Sequence, residues 1–192
     1  MEIDLISPDK DALLAKWSKE LEIVLKINKF DTPLELAWLA EAASNATNII
    51  EFGSYSGTST KMMALANPFC RIVCLDDWCD EGIFDQFSAN LELKINDGEL
   101  ETIRGNTSDG FKKLPDVFYA HFAFIDASHL YDDVKNDIAN AISVLVPGSI
   151  ISGHDYRVNL PEDGVNRAVH EAFPSGVFFP ADSIWAYQMP PA

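Results

Sequence analysis

NIIEFGSYSGTSTKMMALANPFCRIVCLDD, residues 48–77, carries the pattern on which the fold turns. Residues 48–53 form a short apolar run that stops on a glycine, which reads as a buried strand. Residues 56–66 follow with helical character, and Ser56 or Thr58 stands where a hydroxyl satisfies free backbone N–H groups. Residues 71–76 are a second buried strand, and this one ends on a carboxylate. A strand, a glycine turn, a helix and another strand make a βαβ unit, with two parallel strands joined by a helical crossover.

The alternation continues outward from this unit. Residues 84–95 predict a helix and 99–105 a strand, and Asn106 or Thr107 opens a short helix to Leu114. Residues 120–126 predict a strand, 131–146 a helix, 148–155 a strand and 164–173 a helix. Residues 176–189 read as two strands around a Pro-Ala-Asp turn. Ahead of the unit, residues 10–26 and 33–43 predict helices. In the second, Thr32 is the N-cap, Pro33 takes the first helical position and Glu35 the third. The expected class is α/β: a Rossmann-like doubly wound sheet of about seven strands, mostly parallel with a C-terminal antiparallel hairpin, helices on both faces. One domain is expected over 1–192, with N-terminal helices in 1–45 as a lid and the α/β core in 46–192.

Hydrophobic residues make up 47% and aromatics 11% of 192 residues, which argues against disorder. No apolar run approaches the roughly 20 residues that span a bilayer. The acidic start MEIDLISPDKDALL lacks a signal peptide's basic end and apolar centre, so a cytoplasmic protein without membrane contact is expected. Thirty acidic residues against 14 basic ones give a charge of -16, which repels phosphate backbones and disfavours nucleic acid. Cys70, Cys74 and Cys79 contain no CxxC pair and imply neither a zinc ribbon nor a disulfide framework.

Ligands of doubly wound sheets bind outside the carboxyl ends of the strands, where strand order reverses. The predicted ends are Glu51-Phe52-Gly53, Asp76-Asp77, Gly105-Asn106, Asp126 and His154-Asp155, and four of these five carry an acidic group. Gly53 and Gly57 bracket Ser54, Tyr55 and Ser56, a spacing that departs from the G-x-G-x-x-G of dinucleotide sites. Asp76 is placed to accept hydrogen bonds from ribose hydroxyls, with Asp77 as its competitor by one position.

An acidic residue ahead of a glycine loop resembles motif I of the class I S-adenosylmethionine-dependent methyltransferases. The resemblance implies that Gly53, Ser54, Tyr55, Gly57 and Thr58 lie against the methionine part of S-adenosylmethionine, and that Glu51 orients its amino-acid end through the loop. It puts Asp76 on the ribose, Trp78 over the adenosine and Thr107 and Ser108 against the adenine, with Asp126 bordering the cofactor. FIDASHLYDDVKNDI followed by LVPGSIISGHDY, residues 124–138 and 145–156, resembles small bacterial members of this family, and the likeness runs over residues 48–156.

Metal-dependent relatives, the catechol and macrolide-sugar O-methyltransferases among them, pair an Asp at the fourth strand end with two adjacent ligands at the fifth. They carry a general base three residues after that Asp. By this resemblance Asp126, His154 and Asp155 are the metal ligands, His129 is the base and His154 the second choice for it. The metal implied is magnesium or manganese. His154 stands where relatives more often have a carboxylate, and imidazole suits manganese, iron or zinc better than magnesium. Either the metal differs from the usual one, or His154 is a second base and no metal is used.

The implied reaction is methyl transfer to a hydroxyl of a small molecule such as a sugar. Short insertions between strands leave the site open or completed by a second subunit, so a homo-oligomer is a candidate. The alternatives are a non-catalytic S-adenosylmethionine or nucleotide-binding module, an NAD-dependent oxidoreductase and a metal-dependent hydrolase. Tyr131, His121 and His170 read as structural, and Asp132, Asp133 and Asp137 as the solvated acidic start of a helix.

Overall fold

The computed structural model describes residues 3–96, 99–157 and 164–192. Its strands are β1 (Asn48–Phe52), β2 (Arg71–Asp76), β3 (Leu100–Arg104), β4 (Ala120–Ile125), β5 (Leu145–Gly153), β6 (Phe178–Ala181) and β7 (Ile184–Gln188). They form one seven-stranded sheet in the order β3-β2-β1-β4-β5-β7-β6. The first five strands pair in parallel, and β7 runs antiparallel to both β5 and β6. The expected doubly wound sheet with its antiparallel end is therefore present.

Burial explains the near-continuous apolar strands. Along β1, Ile49 packs on one side with Trp38, Met62, Phe122 and Phe124, while Ile50 and Phe52 pack on the other with Val73, Val134 and Ile138. Both faces are covered by helices, so Ile49–Phe52 and Phe122–Ile125 of the two central strands are buried. The helices are α1 (Lys10–Lys16), α2 (Ser18–Val24), α3 (Pro33–Ala43), α4 (Thr58–Ala66), α5 (Ile83–Asn96), α6 (Thr107–Phe111), α7 (Tyr131–Val144) and α8 (Gly164–Ala172).

Most element boundaries lie within one or two residues of the sequence expectation, and the larger differences have local causes. Residues 10–26 form two helices, because Trp17 leaves helical geometry at φ -102 and ψ 15 and donates its indole N–H to Glu41 at 2.9 Å. The α7 helix stops at Val144, ahead of Pro147, and β5 starts at Leu145 instead of at Gly148. The short helix from Thr107 ends at Phe111, not at Leu114. Among the described residues no helix is long and apolar enough to cross a membrane.

Candidate active site

Strand order reverses between β1 and β4, and a cleft of about 680 Å³ opens there. The parallel ladder brings the strand ends together: Gly53 donates its N–H to Leu75, Asp126 to Phe52 and His154 to Ile125. Each following residue is thereby aimed into one hollow. Tyr55, Trp78 and Asp155 adopt left-handed backbone at φ 43, 42 and 60, and all three sit just beyond strand ends. Such strain costs about 1–3 kcal/mol per residue and collects at sites that bind or react.

The loop after β1 is tightly held. Gly53 has φ +83, and a Cβ on it would lie 2.2 Å from the Asp126 carbonyl oxygen. Glu51 is fully buried beneath the loop and accepts from Ser54 Oγ at 2.5 Å, Ser59 Oγ at 2.6 Å and Thr60 Oγ1 at 2.5 Å. Burial raises its pKa, against the pull of those hydroxyls. Glu51 does not line the cleft; it shapes the loop from behind. Asp76 Oδ2 accepts the N–H of Ser54 at 2.7 Å and of Tyr55 at 2.8 Å, and its Oδ1 accepts that of Trp78 at 2.6 Å. Asp76 thus ties the loop after β1 to the end of β2 while still lining the cleft, as Asp77 does.

Ser54, Tyr55, Thr58, Thr107 and Asp126 also line it. Thr58 Oγ1 is a buried oxygen with no hydrogen-bond partner, one of two such among the described residues. Three of the residues expected at the cofactor do not line the cleft. Trp78 is 2% exposed, packs on Phe84 and Phe87, and gives its indole N–H to the Tyr55 carbonyl, so it braces the loop instead of covering a ligand. Ser108 lies outside the lining, since its N–H only closes the Asn106 cap of α6. Gly57 is likewise outside it; it has φ +87 and packs against Leu91 and Phe87.

The other end of the cleft holds a cluster of titratable groups. Asp126, His154 and Asp155 offer ligand atoms that all lie within 4.8 Å of one another. His129 Nε2 is 2.8 Å from Asp155 Oδ2, and His154 Nδ1 is 3.1 Å from the same oxygen. Burial opposes charge on His154, but Asp155, Glu35 and Asp126 outweigh it and push its pKa up to about 11. Bonding to His154, against burial, takes Asp155 down to about 2. Burial holds Asp126 well above the ordinary carboxylate range despite His154, and the Asp31 carboxylate adds to the rise. Carboxylates outnumber cations here, and a divalent cation would balance them.

Several lining residues carried no local signal. Asn28, Phe30 and Asp31 reach the cleft from the segment between α2 and α3, which Asn28 fastens to Ser56 Oγ at 2.8 Å. Ser128 and Asp133 line it too, bonded to each other at 2.7 Å. Asp137 corrects its reading as a solvated residue. It is 1% exposed, accepts from Thr107 at 2.7 Å, and burial raises its pKa to about 6 against that bond. His121 pairs with Thr47 and His170 with Tyr156, both away from the cleft.

A family model described as a methyltransferase domain matches residues 50–156, the span from β1 to just beyond β5. The chain belongs to this methyltransferase family. Solved structures share the fold over almost the whole chain. An O-methyltransferase from Bacillus cereus in complex with SAH is 21% identical, covers 92% of this chain and 90% of its own, and has a TM-score of 0.64. The O-methyltransferase TomG from Streptomyces achromogenes, in complex with SAM, is 15% identical with 94% and 91% covered and a TM-score of 0.66. CalS11, a TDP-rhamnose 3'-O-methyltransferase of calicheamicin biosynthesis, is 16% identical with 95% of each chain covered and a TM-score of 0.63. No curated protein matches the sequence. The loop after β1 and Asp76 form one half of the cleft, and the Asp/His cluster forms the other.

Proposed function

We propose that this methyltransferase transfers the methyl group of S-adenosylmethionine to a hydroxyl of a small molecule, with a divalent metal assisting. The observation that carries the reading is that one cleft joins a glycine loop held by Glu51 and Asp76 to a cluster of two carboxylates and two imidazoles. The likeness to the SAH-bound, SAM-bound and sugar-methylating enzymes supports cofactor and acceptor class.

The chain's own residues fit the cofactor. A Cβ at Gly53 would fill the space where the loop meets Asp126, and Thr58 Oγ1 is an oxygen in want of a partner. Gly53, Ser54, Tyr55 and Thr58 would hold the methionine part, and Asp76 or Asp77 the ribose. S-adenosylmethionine supplies an already activated methyl group, so the protein's tasks are alignment and proton removal. The donor set of Asp126, His154 and Asp155 also fits a metal, and its imidazole favours manganese over magnesium. A metal held there would lower the pKa of the acceptor hydroxyl. His129 donates Nε2–H to Asp155, which leaves Nδ1 to take the acceptor's proton. Phe30 and Tyr55, both exposed, meet edge to face at 5.9 Å beside the cleft and offer an apolar surface to the face of a sugar ring.

Two measurements test these assignments. Thr58→Val is expected to leave Tm unchanged or raise it, since an unbonded buried hydroxyl adds no stability, while S-adenosylhomocysteine binding weakens by about tenfold. Unchanged affinity by calorimetry would remove Thr58 from the cofactor site. Treatment with EDTA is expected to abolish transfer of labelled methyl to a panel of sugars and polyols, and Mn2+ to restore it beyond Mg2+. Full activity in EDTA would end the metal reading and leave His154 as the cluster's own cation.

A further inference from the structure

Glu35 occupies the third position of the α3 capping box, and its Oε2 accepts the Thr32 N–H at 2.7 Å. Its other oxygen has a different use. Oε1 accepts the Ser183 N–H at 2.9 Å and the Ser183 hydroxyl at 2.7 Å, and it faces His154 Nε2 at 3.3 Å. Ser183 spends its hydroxyl proton on Glu35. Toward His154 Nε2, 3.0 Å away, Ser183 Oγ can therefore act only as an acceptor. Nε2 meets two acceptors and must carry a hydrogen. The remaining ring nitrogen, Nδ1, looks between Asp155 Oδ2 at 3.1 Å and Asp126 Oδ1 at 3.9 Å; facing carboxylates, it carries a hydrogen as well, which a bound metal would displace.

We propose that Glu35 is a positioning residue for His154: by holding Nε2–H, it selects the tautomer and ring orientation that turn Nδ1 toward the metal between Asp126 and Asp155. The inference rests on the metal-assisted reading above. Glu35 is 2% exposed and outside the cleft lining, so it acts through His154 and not on the acceptor. A carboxylate behind a ligating imidazole raises its basicity and fixes its direction, and loss of such a partner costs about 10–100-fold in metal affinity. The arrangement also draws two distant segments into the site. Thr32 Oγ1 bonds Asp182 at 2.6 Å, so the start of α3 and the turn between β6 and β7 brace Glu35 from both sides.

The test is Mn2+ binding, read by electron paramagnetic resonance, in the wild type, Glu35→Gln and Ser183→Ala. Glutamine also serves at the third position of a capping box, so Glu35→Gln keeps the cap and removes the charge. S-adenosylhomocysteine affinity reports on the fold. The expected result is a Kd for Mn2+ raised about tenfold or more in Glu35→Gln, with a rise in the same direction in Ser183→Ala and unchanged S-adenosylhomocysteine affinity. Spin-echo modulation from one bound imidazole nitrogen should be present in the wild type, weaker in Glu35→Gln and absent in His154→Ala. Wild-type Mn2+ affinity and modulation in Glu35→Gln would overturn the positioning role and leave the metal reading standing. Equal losses of Mn2+ and S-adenosylhomocysteine binding in Glu35→Gln would overturn it too, as a folding effect. A wild-type protein that takes up no Mn2+ would overturn both readings.

Discussion

His129→Ala is expected to lower kcat for methyl transfer by roughly 10²–10⁴-fold, the range supplied by a positioned general base, while S-adenosylhomocysteine affinity stays as in the wild type. The reason is where the imidazole sits. Its Nε2 is tied to Asp155 Oδ2 at 2.8 Å, and the side chain is 57% exposed, so Nδ1 is open to an incoming hydroxyl. The side-chain hydrogen bonds that hold the glycine loop join it to Glu51, Asp76, Asn28, Trp78 and Asn90, and among the described residues none involves His129. Calorimetry with S-adenosylhomocysteine beside single-turnover methyl transfer separates the two effects. A fall in cofactor affinity matching the fall in rate, or an unchanged rate, would remove His129 from the base's role.

Gly53→Ala should be the most damaging change in the cofactor half of the cleft. The added Cβ would lie 2.2 Å from the Asp126 carbonyl oxygen, 2.5 Å from its carbon and 2.6 Å from Ala127 Cα, all backbone atoms that cannot swing aside. The position also has φ +83, which L side chains resist by about 1–2 kcal/mol. Together, a loss of about 3 kcal/mol or more is expected, or a Tm lower by roughly 6–12 °C, with S-adenosylhomocysteine binding lost. Gly57→Ala is the internal comparison. Its Cβ meets Leu91 Cδ2 at 2.6 Å and Phe87 at 3.0 Å, which are side chains able to shift, so a smaller change is expected. If Gly53→Ala melts and binds as the wild type does, the close approach of β1 to β4 is not what the glycine serves.

Much of the fold could be read locally because both signals involved are local. Runs such as Ile49–Phe52, apolar except for Glu51, and Ile72–Leu75 are long enough in apolar residues to need burial on both faces, and the helical stretches between them force parallel crossovers. Trp17 broke the expected first helix because Glu41, from another helix, takes its indole N–H at 2.9 Å. Nothing within residues 10–26 announces that partner.

The site divides along the same line. Gly53, Asp76, Asp126, His154 and Asp155 were legible as candidates because strand ends are where a doubly wound sheet exposes its polar groups, while His129, three residues beyond such an end, was singled out only by the family resemblance. Trp78 and Asp137 were misread because a side chain's direction depends on what packs above it. Phe84 and Phe87 draw the indole inward, and Thr107 buries the Asp137 carboxylate. Glu35 is the sharpest case. A capping box occupies one of its oxygens and is written in the sequence at Thr32 and Glu35. The second oxygen finds Ser183 and His154, 148 and 119 residues away along the chain, and only the folded sheet brings them within hydrogen-bond reach. The sequence by itself determined the class of sheet and the chemical types gathered at its strand ends, because periodicity and strand-end polarity are short-range properties, whereas the strand order that puts the switch point between β1 and β4 came from the fold. Tertiary structure alone decided which carboxylate holds which imidazole, because a hydrogen bond depends on ångström-scale placement of atoms that sequence spacing does not encode.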